Sequence, residues 1–166
     1  MVQAYVALGA NLGDPQAQVR AAMRALDTLA QTHVTARSPL YLTPPWGVTA
    51  QPAFVNAVAG IETALSAHAL LAALQTLESR AGRTRDGRRW GPRVLDLDLL
   101  LYGDMQLQDG QLAIPHPRLA ERAFVLLPLA DIAATLEVPG QGRVADLLAC
   151  VDTRGCQRLS PDRPSS

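Results

Sequence analysis

The segment Leu95-Asp96-Leu97-Asp98-Leu99 sets two carboxylates two residues apart among leucines. On a β-strand, residues i and i+2 share a face, so both aspartates project to one side and the leucines to the other. On a helix the same pair would diverge by about 200°, and no joint chemistry would follow. Two carboxylates about 5–6 Å apart repel by roughly 3 kcal/mol at an effective dielectric of about 20. A divalent cation removes that repulsion, and hard oxygen donors with no histidine or cysteine beside them in sequence suit magnesium. Two solvated aspartates on an open sheet face would give the same pattern. The pair therefore needs support from what surrounds it.

The preceding loop offers that support. Arg80, Arg83, Arg85, Arg88, Arg89 and Arg93 lead into the strand, offset only by Glu78 and Asp86. Carboxylates on a strand, fed by guanidiniums on a loop, suit a metal–polyphosphate: the cation bridges phosphate oxygens and arginine forks take the remaining charge. A solvated charge run and a non-specific RNA patch are the other readings of this loop. Every one of the 15 basic residues is arginine. That excludes a Schiff-base lysine, a lysine general base and a P-loop lysine.

Weaker signals lie elsewhere. Gly9-Ala10-Asn11-Leu12-Gly13 opens a helix and reads either as a tight strand-to-helix turn or as a phosphate cradle. It has neither P-loop nor dinucleotide spacing. Phe54 and Phe124, the only two phenylalanines, read by default as core. His116 is fixed between Pro115 and Pro117 and could donate to a phosphate, although a lone loop histidine is more often structural. His33 and His68 carry no pattern.

These groups need a frame. The apolar run Ala4–Gly9 predicts a strand, and Asp14 with Pro15 predicts a helix start. Val19, Ala22, Met23, Leu26 and Leu29 carry that helix to about Gln31. A strand from Val34 to Leu42 follows, closed by the stiff Thr43-Pro44-Pro45-Trp46-Gly47 turn. A further strand runs from Phe54 to about Thr63. Ser66 caps a helix with Leu70, Leu71, Leu74 and Leu77 on its inner stripe, ending near Gly82. The strand from Val94 to Tyr102 completes a β-α-β-β-α-β order, which predicts an α+β, ferredoxin-like sandwich. The C-terminal additions are a loop at Ile114-Pro115-His116-Pro117 and short helices near Phe124–Ala133 and Val144–Val151.

The chain has 166 residues, 48% apolar and 18% charged, which suits one folded domain over residues 1–159 with a frayed tail at 160–166. Fifteen basic and fifteen acidic residues cancel, so neither nucleic acid nor a membrane surface is favoured as a partner. Cys150 and Cys156 lack nearby histidines for zinc and read as free thiols. The N-terminal segment has no basic n-region, and no apolar stretch reaches membrane-spanning length. A soluble, cytoplasmic monomer is the expectation.

Several words of this sequence together resemble the 6-hydroxymethyl-7,8-dihydropterin pyrophosphokinase family of folate biosynthesis. They are Ala4-Tyr5-Val6-Ala7-Leu8-Gly9-Ala10-Asn11-Leu12-Gly13, Tyr41-x-Thr43-Pro44-Pro45-x-Gly47 and Gln51-Pro52-x-Phe54-x-Asn56-Ala57. The series continues with Arg89-Trp90-Gly91-Pro92-Arg93-x-x-Asp96-Leu97-Asp98-Leu99, Pro115-His116-Pro117-Arg118-Leu119 and Arg122-x-Phe124-Val125-Leu126. The resemblance implies an ATP-dependent transferase that passes pyrophosphate to the pterin hydroxymethyl oxygen and releases AMP. It implies two magnesium ions on Asp96 and Asp98, with Arg83 and Arg93 on the phosphates as catalytic groups. By the same match Gln75, Glu78, Arg85, Trp90, Leu99, His116 and Arg122 would surround ATP. The pterin would stack between Phe54 and Phe124, edged by Thr43, Pro44, Trp46 and Asn56. Gln111 and Ala113 stand where some members carry an arginine and a hydroxyl residue, and Pro117 where some carry a tyrosine. Two rival readings are an RNA-binding module of the same fold, which would want exposed aromatics on its sheet, and a non-catalytic pterin sensor, which would need no metal.

Overall fold

A computed structural model describes residues 1–44, 52–81 and 95–160. Its strands and helices in chain order are β1 (Val2–Ala10), α1 (Pro15–Leu26), β2 (Thr32–Arg37), β3 (Tyr41–Thr43), β4 (Phe54–Thr63), α2 (Ala67–Arg80) and β5 (Asp96–Tyr102). There follow β6 (Leu107–Gln108), β7 (Ala113–Ile114), α3 (Ala123–Ala133), β8 (Glu137–Val138), β9 (Gly142–Arg143), α4 (Val144–Ala149) and β10 (Gln157–Arg158). The fold is α+β, with the expected β-α-β-β-α-β order present and its second strand divided in two.

One antiparallel sheet runs β10-β3-β4-β1-β5, and β2 pairs with the far half of β4. β1 and β4 are interior strands, which explains their near-continuous apolar sequence. β5 alternates: Leu97 and Leu99 join Val6, Leu8, Val55 and Ala57 in a core beneath the sheet, covered by α1 and α2. α1 is capped by Asp14, whose carboxylate accepts from the Ala17 amide at 3.1 Å. α2 is capped in the same way by Ser66. A second core lies on the other face, where Ala7, Val58 and Leu100 meet Leu119, Val125, Leu126 and Leu129.

Three sequence expectations shift. The helix predicted to Gln31 ends at Leu26, because Thr28 bonds back to the Ala25 carbonyl and the Asp27 carboxylate captures the Val34 amide. The strand predicted over Val34–Leu42 breaks at Ser38-Pro39, where proline has no N–H for the ladder. Ser38 bridges the break: its amide donates to the Val58 carbonyl at 3.0 Å, and its hydroxyl accepts from the Val58 amide at 2.9 Å. The last helix stops at Ala149 rather than Val151. The short hairpin strands β6 to β9 and the edge strand β10 were not legible as elements. The predicted start at Val94, the arginine loop and most of the tail lie outside the described residues. Both cysteines are free thiols, and no helix among the described residues is long and apolar enough to cross a membrane.

Candidate active site

Antiparallel register decides which side chains meet. Asp96 lies opposite Gly9, Gly9 opposite Asn56, and Asn56 opposite Tyr41. These four form one row across β5, β1, β4 and β3, on the face away from α1 and α2. Asp98 and Ala7 start the next row, and Thr43 with Phe54 forms the row on the other side. Asp96, Asp98, Phe54 and Asn56 are all half-buried. The two aspartates therefore share a face, as the Asp-x-Asp spacing requires.

α3 lies across this face. At its N-terminus, Arg122 is held by the field of the Asp98 and Asp96 carboxylates, while burial pulls its guanidinium pKa down. Near its other end, Asp131 receives the hydroxyl of Tyr41. Nine helical residues rise about 13 Å, close to the three interstrand steps, about 14 Å, from β5 to β3. The helix thus forms a wall along the trough whose floor is the Asp96–Gly9–Asn56 row. Phe124, in its first turn, is half-buried, with the Arg122 guanidinium carbon 5.4 Å from its ring centroid.

The floor needs glycine at position 9. A Cβ there would lie 2.7 Å from Asn56 Nδ2. The Asn56 amide leans over that gap, and its carbonyl oxygen accepts from the Thr43 hydroxyl at 2.6 Å. That bond orients the carboxamide and turns its N–H donors away from Thr43, toward the trough. Beyond the row, buried Asn11 donates to the Pro52 carbonyl at 3.1 Å and fixes the segment that enters β4.

His116 comes from the loop after β7, and its amide donates to the Leu100 carbonyl at 2.9 Å. Burial, then the Arg122 charge, lowers its pKa from 6.5 to about 4, against the pull of Asp96. The imidazole is therefore neutral at physiological pH. Its Nδ1 accepts from the Arg118 amide at 3.2 Å, which leaves the proton on Nε2. A neutral donor beside two carboxylates and an arginine suits a phosphate oxygen.

Asp96, Asp98, His116 and Arg122 thus gather at one end of the trough, and Thr43, Phe54 and Asn56 at the other. Pro44 is exposed at the exit of β3. Gln75 lies on the outer surface of α2, bordering a shallow groove with Thr76 and Ser79. Glu78 is buried, and its carboxylate accepts from the Leu97 amide at 2.7 Å, between the two aspartates in sequence. Its carboxylate therefore clamps α2 to β5. The Leu99 side chain is in the lower core and faces away from the carboxylates. Arg83, Arg85, Trp90, Arg93 and Trp46 lie outside the described residues. Tyr41 and Arg118 belong to the site region but were given no role from sequence, and Gly9 was read only as part of a turn or phosphate cradle, since only strand register and loop closure bring them in.

The family described as 7,8-dihydro-6-hydroxymethylpterin-pyrophosphokinase (HPPK) matches residues 5–134. A 2-amino-4-hydroxy-6-hydroxymethyldihydropteridine pyrophosphokinase of Pseudomonas aeruginosa is 48% identical over 155 residues, 93% of this chain and 95% of its own length. One of the same name from Haemophilus influenzae is 46% identical, covering 97% of this chain and 100% of its own length. Among solved structures, Plasmodium falciparum HPPK-DHPS superposes with a TM-score of 0.69 at 12% identity, over 97% of this chain and 48% of that one. That likeness speaks for the fold, and the chain spans about half of the solved protein. The aspartate strand, the glycine floor and the half-buried phenylalanines fall within the matched stretch, and the chain belongs to the 7,8-dihydro-6-hydroxymethylpterin-pyrophosphokinase family.

Proposed function

We propose that the trough joins ATP to 6-hydroxymethyl-7,8-dihydropterin, with Asp96 and Asp98 holding two magnesium ions and the pterin lying over the Gly9–Asn56 floor. Family membership gives the reaction class, pyrophosphate transfer to this pterin in folate biosynthesis. The observation that carries the residue assignment is the single row linking Asp96, Gly9 and Asn56.

The donor set suits magnesium. Two half-buried carboxylates share a face, and both are hard oxygen donors. Magnesium is commonly held by one or two carboxylates, with substrate phosphates and water completing the shell. When bound, the cations supply neutralisation of the polyphosphate charge.

The chain's own groups do the rest. Arg122 adds positive charge beside the carboxylates, and His116 offers its Nε2 proton to a phosphate oxygen. Arg83 and Arg93 are assigned to the phosphates, with Gln75, Glu78, Arg85, Trp90 and Leu99 on the nucleotide side. Glu78 and Leu99 would act there through the backbone they fix rather than by side-chain contact. Phe54 and Phe124 stack the flat ring, while Asn56 and Thr43, with Pro44 and Trp46, read its edge. The hydroxymethyl oxygen forms a bond to the β-phosphorus. The bond from that phosphorus to the α,β-bridging oxygen breaks, AMP leaves with the electron pair, and the hydroxyl proton is released. Positioning and electrostatics would carry the rate, since Asp96 and Asp98 would hold the cations rather than serve as a general base.

The same reading makes the protein a cytoplasmic monomer acting on small molecules. Phosphorus NMR of the chain with magnesium, ATP and the pterin tests it: AMP and a pterin diphosphate are expected, whereas ADP and a pterin monophosphate would overturn it.

A further inference from the structure

The segment from Gly155 through β10 plays no part in the reading above, yet it contacts the pterin end of the trough through three features. Arg158 lies opposite Tyr41 and Gln157 opposite Leu42, and the Leu159 amide donates to the Leu40 carbonyl at 2.8 Å. The Arg158 guanidinium donates to Asp131 Oδ1 at 2.6 Å and lies 5.8 Å from the Tyr41 ring centroid. The Tyr41 hydroxyl donates to the second oxygen of the same carboxylate at 2.5 Å. Finally, Gly155 has φ +85°, and a Cβ there would lie 2.9 Å from Pro44 Cγ. The chain thus passes directly against the residue that follows Thr43.

β3 has only three residues, so its own ladder fixes it weakly, and what borders it matters more. Tyr41 is 5% exposed, lies in the same row as Asn56, and shares a face with Thr43 two residues on. Asp131 belongs to α3, whose first turn carries Phe124. One carboxylate therefore ties together the strand of Thr43, the helix of Phe124 and the C-terminal strand. The Arg158 ion pair adds little stability to this arrangement by itself. The Arg158 side chain is 58% exposed, and ion pairs so open to water contribute little.

We propose that Tyr41, Asp131 and Arg158 form a positioning assembly for pterin recognition. They hold Thr43 against Asn56 and set the distance between β3 and α3, and none of the three touches a reacting atom. The inference rests on the pterin reading of Thr43, Phe54, Asn56 and Phe124. Its chemistry is steric and electrostatic: the guanidinium holds the carboxylate aimed at the phenol, and the phenol places the strand.

The test uses the full chain with Arg158→Ala, Arg158→Lys, Tyr41→Phe and Asn56→Ala, each titrated separately with 6-hydroxymethylpterin and with magnesium-ATP, alongside melting temperatures. Arg158→Ala and Tyr41→Phe are expected to weaken pterin binding about 3- to 10-fold, leaving nucleotide binding within about twofold, and Arg158→Lys should recover most of the loss. Loss of both ligands in proportion to a lowered melting temperature would make the cluster a general staple and overturn the assignment. Pterin loss in Asn56→Ala with none in Arg158→Ala or Tyr41→Phe would overturn the assembly while keeping the pocket. No pterin loss in Asn56→Ala would overturn the pocket reading and the assembly with it.

Discussion

The two ends of the trough are built by different means. At the carboxylate end, Asp96 and Asp98 lie on a strand whose leucines are buried in the core below, so hydrophobic alternation aims them, with Glu78 on the Leu97 amide steadying the strand. At the edge end, Thr43 lies on a three-residue strand held by Ser38, Tyr41, Asp131 and Arg158, contacts that join parts of the chain up to 117 residues apart. A local pattern positions the first, and long-range polar closure positions the second. Two carboxylates that repel each other need a stiff mount. The strand proposed to receive a flat ring is held instead by replaceable side-chain contacts.

The largest expected effect is at the stiff end. Asp96→Ala or Asp98→Ala should lower turnover by on the order of 10²–10³-fold while pterin affinity changes little. Steady-state rates across a magnesium series check this, and near-normal turnover at saturating magnesium would erase the proposed division of labour.

Next comes acidity, which the two ends should feel unequally. His116 has its pKa lowered from 6.5 to about 4, so the unfolded chain takes up a proton on that imidazole before the folded chain does. Its contribution is complete above pH 6.5 and is lost as pH falls toward about 4. The ceiling is about 3 kcal/mol at 1.36 kcal/mol per unit, and partial solvent access makes the real figure smaller. Urea unfolding of the metal-free protein against pH should be steeper in this window than for His116→Gln. Parallel curves would remove His116 as the cause.

Phe54→Ala at the edge end, and Phe124→Ala in the first turn of α3, should each cost about 1–3 kcal/mol of pterin affinity by loss of stacking, with nucleotide affinity nearly unchanged. Calorimetric titration with each ligand separates the two, and equal losses would mean that the phenylalanines are only core. The smallest effect belongs to the midpoint. Gly9→Ala puts a methyl 2.7 Å from Asn56 Nδ2, a movable side-chain tip, so folding should persist. Pterin affinity should drop by about 1 kcal/mol as the carboxamide is displaced, and an unchanged pterin titration would show that the gap is not used.

This contrast also explains what could be read from sequence. The Asp96-x-Asp98 face, the caps at Asp14 and Ser66, and the strand from Phe54 to Thr63 follow from periodicity and side-chain chemistry within a few residues. The break at Ser38-Pro39 was missed because a serine side chain substitutes for ladder bonds, which no period reports. Glu78 resembles an ordinary solvated helix residue until the Leu97 amide is found beneath it. Gly9 reads as turn punctuation, whereas its role comes from the strands on either side. Tyr41 was visible in a motif, but its partners Asp131 and Arg158 were not, since nothing local marks a contact closed across 90 residues or more.

The register of β1 has one more consequence. Asp96 and Asn56 are separated by a single intervening strand, so the interval between them is two hydrogen-bonded steps, about 9–10 Å. No side chain sets this length; the peptide ladder does. It acts as a fixed gauge between the place proposed to handle phosphate and the place proposed to read a ring edge. Core substitutions that keep the ladder leave the gauge untouched. A one-residue slip of β1 would instead put Leu8 or Ala10 in the floor in place of Gly9, and the two ends would lose their common face.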